Sequence, residues 1–195
     1  MSVFPVALRL DGRLCLVVGS GQDAVRRTRD LLEAGARVRL VAEEPGAPLR
    51  ELVGNPALTL EERGFAEQDL DGVWLAVLAE RNPVLAEQLG AAAEQRQLPL
   101  CAVDQPEHNT FSHMARARAG TVQAAISTSG TAPALARRLA EELQRLFDDA
   151  NLAALADELS QLRELTASRD RADGLGQAVA GVHVDGQLEL GRART

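Results

Sequence analysis

Arg13-Leu14-Cys15-Leu16-Val17-Val18-Gly19-Ser20-Gly21-Gln22-Asp23-Ala24 opens the stretch, running on to Gly35, whose reading decides the fold. Leu14 to Val18 is an apolar run too short for a helix and β-branched at its end, which predicts a strand buried on both faces. Gly19-Ser20-Gly21-Gln22-Asp23-Ala24 has the form G-x-G-x-x-A. The chain then turns helical, with Ala24, Val25, Thr28, Leu31 and Leu32 on one face and Gly35 as the stop. Each residue type has a physical task. Gly19 supplies the tight turn, Gly21 leaves room for a pyrophosphate, and Ala24 lets the helix sit close on the strand. The free N–H groups of the helix start are suited to an anion. A second strand over 38–42 ends in Glu43-Glu44, acids placed for ribose hydroxyls. The unit predicts dinucleotide binding through Gly19, Ser20, Gly21, Gln22, Asp23, Glu43 and Glu44. Asp23 suits the helix dipole but sits poorly beside a pyrophosphate. The plainer reading is a βαβ unit whose glycines serve only the turn.

Outward from this unit, alternation continues. A short helix over 49–53, a small strand over 58–61, a buried strand over 73–79, a helix from Asn82-Pro83 to about Gln97 and an apolar run over 98–103 follow in order. The sequence β-α-β-α-β-β-α-β is that of a doubly wound parallel sheet, in which ligands sit at the carboxyl ends of the strands. Gly19, Glu43, Glu80 and Asp104 all follow such ends. Beyond Asp104 the pattern changes. A polar loop leads to strands over 110–118 and 121–127 joined at Ala119-Gly120, read as a hairpin in a second subdomain. A hydroxyl-rich loop, Ser127-Thr128-Ser129-Gly130-Thr131, precedes a helix over 133–147. Another helix, over 152–165, carries Leu152, Leu155, Leu159 and Leu162 as a stripe that wants a partner helix. The tail after Ser168 is weakly patterned, with a D-G hairpin expected over 182–190.

Composition excludes several classes. At 195 residues and 46% hydrophobic content the chain can bury a sizeable core. A net charge of −7 argues against a nucleic-acid partner. No apolar run approaches the ~20 residues of a membrane span, and the first residues lack a signal-peptide pattern, so cytoplasm is the expected compartment. Cys15 and Cys101 lie in apolar strand runs and read as core residues, with no metal or redox spacing. All 21 basic residues are arginine, so lysine Schiff-base chemistry is excluded and anion recognition falls to guanidinium groups, which grip carboxylates bidentately.

The chain resembles the siroheme-biosynthesis enzymes with precorrin-2 dehydrogenase activity, including the N-terminal part of siroheme synthase. The resemblance rests on Phe4-Pro5-Val6, on Leu10-Asp11-Gly12-Arg13-Leu14-Cys15-Leu16-Val17-Val18-Gly19-Ser20-Gly21, on Leu32-Glu33-Ala34-Gly35-Ala36, on Asp69-Leu70-Asp71-Gly72-Val73, and on Val103-Asp104 and Phe111. Its most specific block is Ala125-Ile126-Ser127-Thr128-Ser129-Gly130-Thr131-Ala132-Pro133-Ala134-Leu135-Ala136-Arg137-Arg138-Leu139. Departures from the family pattern are Asp23, Arg27, Glu80-Arg81, Asn109 and Met114.

The resemblance implies an NAD-dependent oxidation of precorrin-2 to sirohydrochlorin, with ferrous iron insertion in some members and homodimers built from the second half. It places the catalytic residue on Asp104 and the tetrapyrrole on residues 104–111 and 127–130. His113, Arg116, Ser127, Ser129, Gly130 and Arg137 are the expected substrate-binding residues. The expected architecture is α/β: a Rossmann-like NAD-binding domain over 1–112, a dimerisation and tetrapyrrole-binding subdomain over 113–148, and C-terminal helix and tail over 149–195. Two other readings are a catalytically altered tetrapyrrole- or nucleotide-binding protein of this fold and a chelatase without dehydrogenase activity.

Overall fold

The computed structural model describes residues 3–165 and 171–185. Two compact units divide it, one spanning Val3–His113 and the other beginning at Met114.

In the first unit, β1 (Leu14–Val18), α1 (Gln22–Glu33), β2 (Arg37–Val41), α2 (Ala47–Arg50), β3 (Leu58–Glu61), β4 (Leu75–Leu78), α3 (Pro83–Gln95) and β5 (Leu100–Ala102) follow one another. The five strands form a wholly parallel sheet in the order β3-β2-β1-β4-β5, the Rossmann-like doubly wound arrangement. Strand β1 lies in the middle because its side chains are apolar on both sides. Cys15 and Val17 pack with α1 residues Ala24, Val25 and Leu31, while Leu16 and Val18 pack with α3 residues Ala86, Leu89 and Ala93. A strand buried this way cannot move to an edge without exposing one of these sets.

The turns explain where elements stop. Helix α1 ends at Gly35, which takes φ +79° and binds Leu32 through its N–H, a glycine-type helix stop. Helix α3 starts on Asn82, whose side chain accepts from Leu85 N–H at 3.1 Å, with Pro83 in its first turn. Strand β5 is shorter than the apolar run 98–103 suggests. It ends at Ala102 because Val103 and Asp104 turn away, Asp104 with φ +58°. The outer edge of β5 is then occupied by the returning chain: Asn109 Oδ1 accepts from Ala102 N–H, and Thr110 Oγ1 accepts from Leu100 N–H at 2.9 Å. That spends residues 109–110 on β5, so the hairpin strand expected from 110 begins only at 115.

The second unit contains the antiparallel pair β6 (Ala115–Ala119) and β7 (Val122–Ile126), then α4 (Pro133–Asp149), α5 (Leu152–Leu165) and α6 (Arg171–Val179). Gln144 of α4 fastens to β6 through both amide atoms, accepting from Arg118 N–H at 2.8 Å and donating to Arg118 C=O at 2.9 Å. Helix α6 was not legible in the weakly patterned tail. Of the expected hairpin over 182–190, residues 182–185 carry no strand and the remainder lies outside the described residues.

Candidate dinucleotide site

The carboxyl ends of β1, β2, β4 and β5 form one edge of the sheet, and the predicted cofactor residues follow them directly. Gly19 N–H donates to Val41 C=O at 2.9 Å and Ala79 N–H to Val18 C=O at 2.7 Å, so the turn after β1 is held between both neighbouring strands. The two glycines differ. Gly19 is buried with φ +133°, and a Cβ there would lie 3.1 Å from the Ala79 carbonyl carbon. Gly21 is exposed, has an extended backbone at φ −86°, and a Cβ there would meet nothing within 4 Å. It is the residue before α1 and gives that helix no side-chain cap, so the first N–H groups are left for an outside acceptor. The first glycine shapes the turn and the second keeps a cradle open, a division that fits a dinucleotide pyrophosphate.

The surrounding charges are specific. Asp23 in the first turn of α1 is ion-paired with Arg26, which softens the conflict its charge poses to a pyrophosphate. Ser20 is half-buried and Gln22 exposed. Glu43 and Glu44 are both exposed after β2. The Glu43 carboxylate folds over Gly64, where an added Cβ would lie only 2.7 Å from its oxygen. The arginine beside that glycine, Arg63, is engaged elsewhere: it makes a bidentate bond to Asp69 at 2.7 and 2.8 Å. That bond holds the nearly buried Asp69 carboxyl below its usual range. No described basic side chain pairs with Glu43 or Glu44, so two carboxylates without an ion-pair partner among the described residues stand at this corner.

Asp104 is exposed, in the left-handed backbone region, and its carboxylate makes no hydrogen bond or ion pair with any described residue. The next residue is better tied. Gln105 is 4% exposed and donates from its amide to Glu80 C=O at 3.2 Å and Val103 C=O at 3.4 Å, lacing the end of β5 to that of β4. Its amide oxygen is buried without a partner among the described residues. This link carries no local sequence signal, whereas Glu80 was expected at this strand-end edge; its carboxylate oxygen would lie 3.2 Å from a Cβ on Gly19. His113 is half-buried and stacks edge-on with Phe111, centroids 5.3 Å apart. Its backbone N–H bonds the Cys101 thiol, whose pKa burial pushes up, and Cys15 is pushed up to about 11 in the same way. Both thiols are core groups.

In the second unit, the loop before α4 is folded on itself. Ser127 Oγ accepts from Ser129 N–H at 3.1 Å, Thr128 Oγ1 accepts from Ala132 N–H at 3.2 Å, and Thr131 Oγ1 donates to Thr128 C=O at 2.6 Å. Ser129 and Gly130 both take positive φ, at +52° and +80°. Arg116 and Arg137 are exposed. Arg138 is paired along its own helix with Glu142 and Glu141, which gives it the solvated-face role.

A family model described as putative NAD(P)-binding matches residues 6–115. The chain is 34% identical over 194 residues to siroheme synthase 3 of Aeromonas hydrophila, covering 92% of this chain and 41% of that protein. It is 33% identical over 205 residues to siroheme synthase 1 of Halorhodospira halophila, covering 97% of this chain and 42% of that one. The chain thus spans about two fifths of the length of these curated relatives. Among solved structures its fold is similar to that of SirC, a precorrin-2 dehydrogenase, with a TM-score of 0.73 at 24% identity, covering 91% of this chain and 89% of the other.

Proposed function

Since the chain belongs to the putative NAD(P)-binding family and is related over most of its length to siroheme synthases, we propose that it oxidises precorrin-2 to sirohydrochlorin with NAD. The observation that carries this reading is the open Gly21 cradle at the uncapped start of α1, in a chain whose relatives are named for siroheme synthesis. NAD is preferred over NADP because Glu43 and Glu44 stand unpaired by any described cation where a 2′-phosphate would have to go. When bound, the nicotinamide supplies the hydride acceptor.

The residues of the chain then have these tasks. Gly19 and Gly21 shape and open the cradle, and the first N–H groups of α1 hold the pyrophosphate. Asp104, exposed and without internal partner, takes up the proton that leaves the substrate as hydride departs. Arg116 and Arg137 bind the carboxylates of the tetrapyrrole, and residues 127–130 and His113 complete its contacts. Where ferrous iron is a further substrate, Asp104 or a histidine, His108 or His113, stands close to the incoming metal. Among the described residues no cluster of three metal-ligating side chains exists. The homodimer is built from the second unit. The cytoplasm is the compartment that fits this cofactor and substrate.

A second reading, a tetrapyrrole- or nucleotide-binding protein without turnover, is favoured by the Glu80 carboxylate against the glycine turn. An assay of precorrin-2, NAD and ferrous iron with each omitted in turn separates the readings. NADH formed only with precorrin-2 and NAD together supports dehydrogenation. Iron insertion into sirohydrochlorin without NAD identifies a chelatase, and binding without either product supports the altered protein.

A further inference from the structure

We propose that Glu80 is an electrostatic brake on the cofactor: its carboxylate, lodged against the Gly19 turn, opposes the pyrophosphate and keeps the dinucleotide loosely held. The inference rests on the dinucleotide reading of that turn. Glu80 follows the buried end of β4, and Ala79 N–H is bonded to Val18 C=O at 2.7 Å, which fixes residues 79–80 beside the last residue of β1. From there the side chain folds back over the turn, so that a Cβ on Gly19 would lie 3.2 Å from Glu80 Oε2. The backbone at Glu80 is also held from the far side by the buried Gln105 amide at 3.2 Å. The carboxylate therefore stands on an anchored backbone rather than on a free loop.

Its charge is not cancelled locally. Glu80 makes no ion pair among the described residues, and the arginines at the start of α1 are engaged by aspartates of their own helix, Arg26 by Asp23 and Arg27 by Asp30. Arg81, next in the chain, is exposed and unpaired among the described residues. The turn thus meets a doubly charged pyrophosphate with one uncompensated negative charge beside the helix N-terminus that attracts it. A near-contact charge pair in surroundings between water and a protein surface changes affinity roughly five- to twenty-fold. The consequence for a dehydrogenase is a cofactor that leaves readily after each hydride transfer.

The test is calorimetric titration of NAD and of adenosine, which has no pyrophosphate, into the wild-type chain, Glu80→Gln and Gly21→Asp. Glu80→Gln keeps shape and removes charge; Glu80→Ala serves as a second variant, and melting temperatures confirm that each is folded. The expected result is NAD binding about five- to twenty-fold tighter in both Glu80 variants at low salt, the gain shrinking at about 1 M salt, where the Debye length is about 3 Å. Adenosine affinity stays unchanged. Appearance of NAD binding only when Glu80 is replaced would support the brake in its strongest form. Unchanged or weaker NAD binding in the Glu80 variants overturns the proposal, the weaker case meaning that the carboxylate accepts from ribose hydroxyls. The underlying reading fails separately, and the brake with it, if NAD binds none of the chains, or if it binds wild type and Gly21→Asp binds it equally well.

Discussion

Replacing Gly21 by Asp should abolish cofactor binding while leaving the fold as stable as before or slightly more so. Three observations set the magnitude. The backbone at Gly21 is extended, at φ −86°, and its Cβ direction is empty to 4 Å, so an Asp enters without strain. The position precedes α1, which has no side-chain cap, and an Asp there can accept from the first-turn N–H groups. The cap and the dipole together contribute about 0.5–1 kcal/mol relative to Gly, or roughly 1–4 °C in melting temperature for a chain of this size. The same carboxylate takes the donors that the pyrophosphate needs and adds a repelling charge, so NAD affinity should fall by about 100-fold or more. Gly19→Ala should do the reverse. Its φ of +133° and the Ala79 backbone 3.1 Å from the new Cβ leave nowhere for the methyl group, and about 2–4 kcal/mol should be lost, roughly 5–15 °C. Calorimetry with NAD and thermal melting of the same preparations check both. NAD affinity in Gly21→Asp within about threefold of wild type would refute the assignment of the cradle, and an unchanged melting temperature in Gly19→Ala would refute the packing argument.

Asp104→Asn should cut turnover by roughly 10²–10⁴ with substrate affinity largely kept; Asn tolerates the φ of +58° as well as Asp does, so a stability loss does not cloud the result, and near-wild-type turnover removes Asp104 from the mechanism. Glu43→Gln and Glu44→Gln together should narrow the preference for NAD over NADP, read from the two dissociation constants; no preference in the wild-type chain contradicts the role of these acids. Arg63→Gln should make the fold more sensitive to acid. The Asp69 carboxyl is held below its ordinary value, so its stabilisation is present above the unfolded-state pKa of about 4 and is lost as pH falls through the lower folded value. Without Arg63 that loss should begin at higher pH, visible as an earlier fall in melting temperature. Light scattering at micromolar concentration should give the mass of a dimer, because the exposed Leu135, Leu146 and Leu162 of α4 and α5 leave apolar surface uncovered.

What could be read beforehand followed from local chemistry. Leu14–Val18 and Leu58–Glu61 declare themselves through apolar runs bounded by turn residues, and Asn82-Pro83 places the start of α3 to the residue. The tight turn at Gly19 was equally legible, and its φ of +133° fits that reading. The misreadings share a cause. The apolar run 98–103 overstates β5 because Asp104 adopts a left-handed conformation that composition does not announce. The hairpin strand expected from 110 starts at 115 because Asn109 and Thr110 bind the edge of β5, contacts between residues seven and ten apart in the chain. Within the loop before α4, Thr128 Oγ1 accepts from the N–H of Ala132, the residue that precedes the helix. The placement of Glu80 over Gly19 depends on the pairing of β1 with β4, and nothing local encodes it.

Mixing the purified chain with precorrin-2 and NAD in the absence of iron, and following NADH and sirohydrochlorin in one reaction, shows whether the chain is a dehydrogenase. Both should rise together in equal amounts, and neither should rise when NAD is withheld. Formation of sirohydrochlorin without matching NADH, or of neither in a preparation that binds NAD, would contradict it.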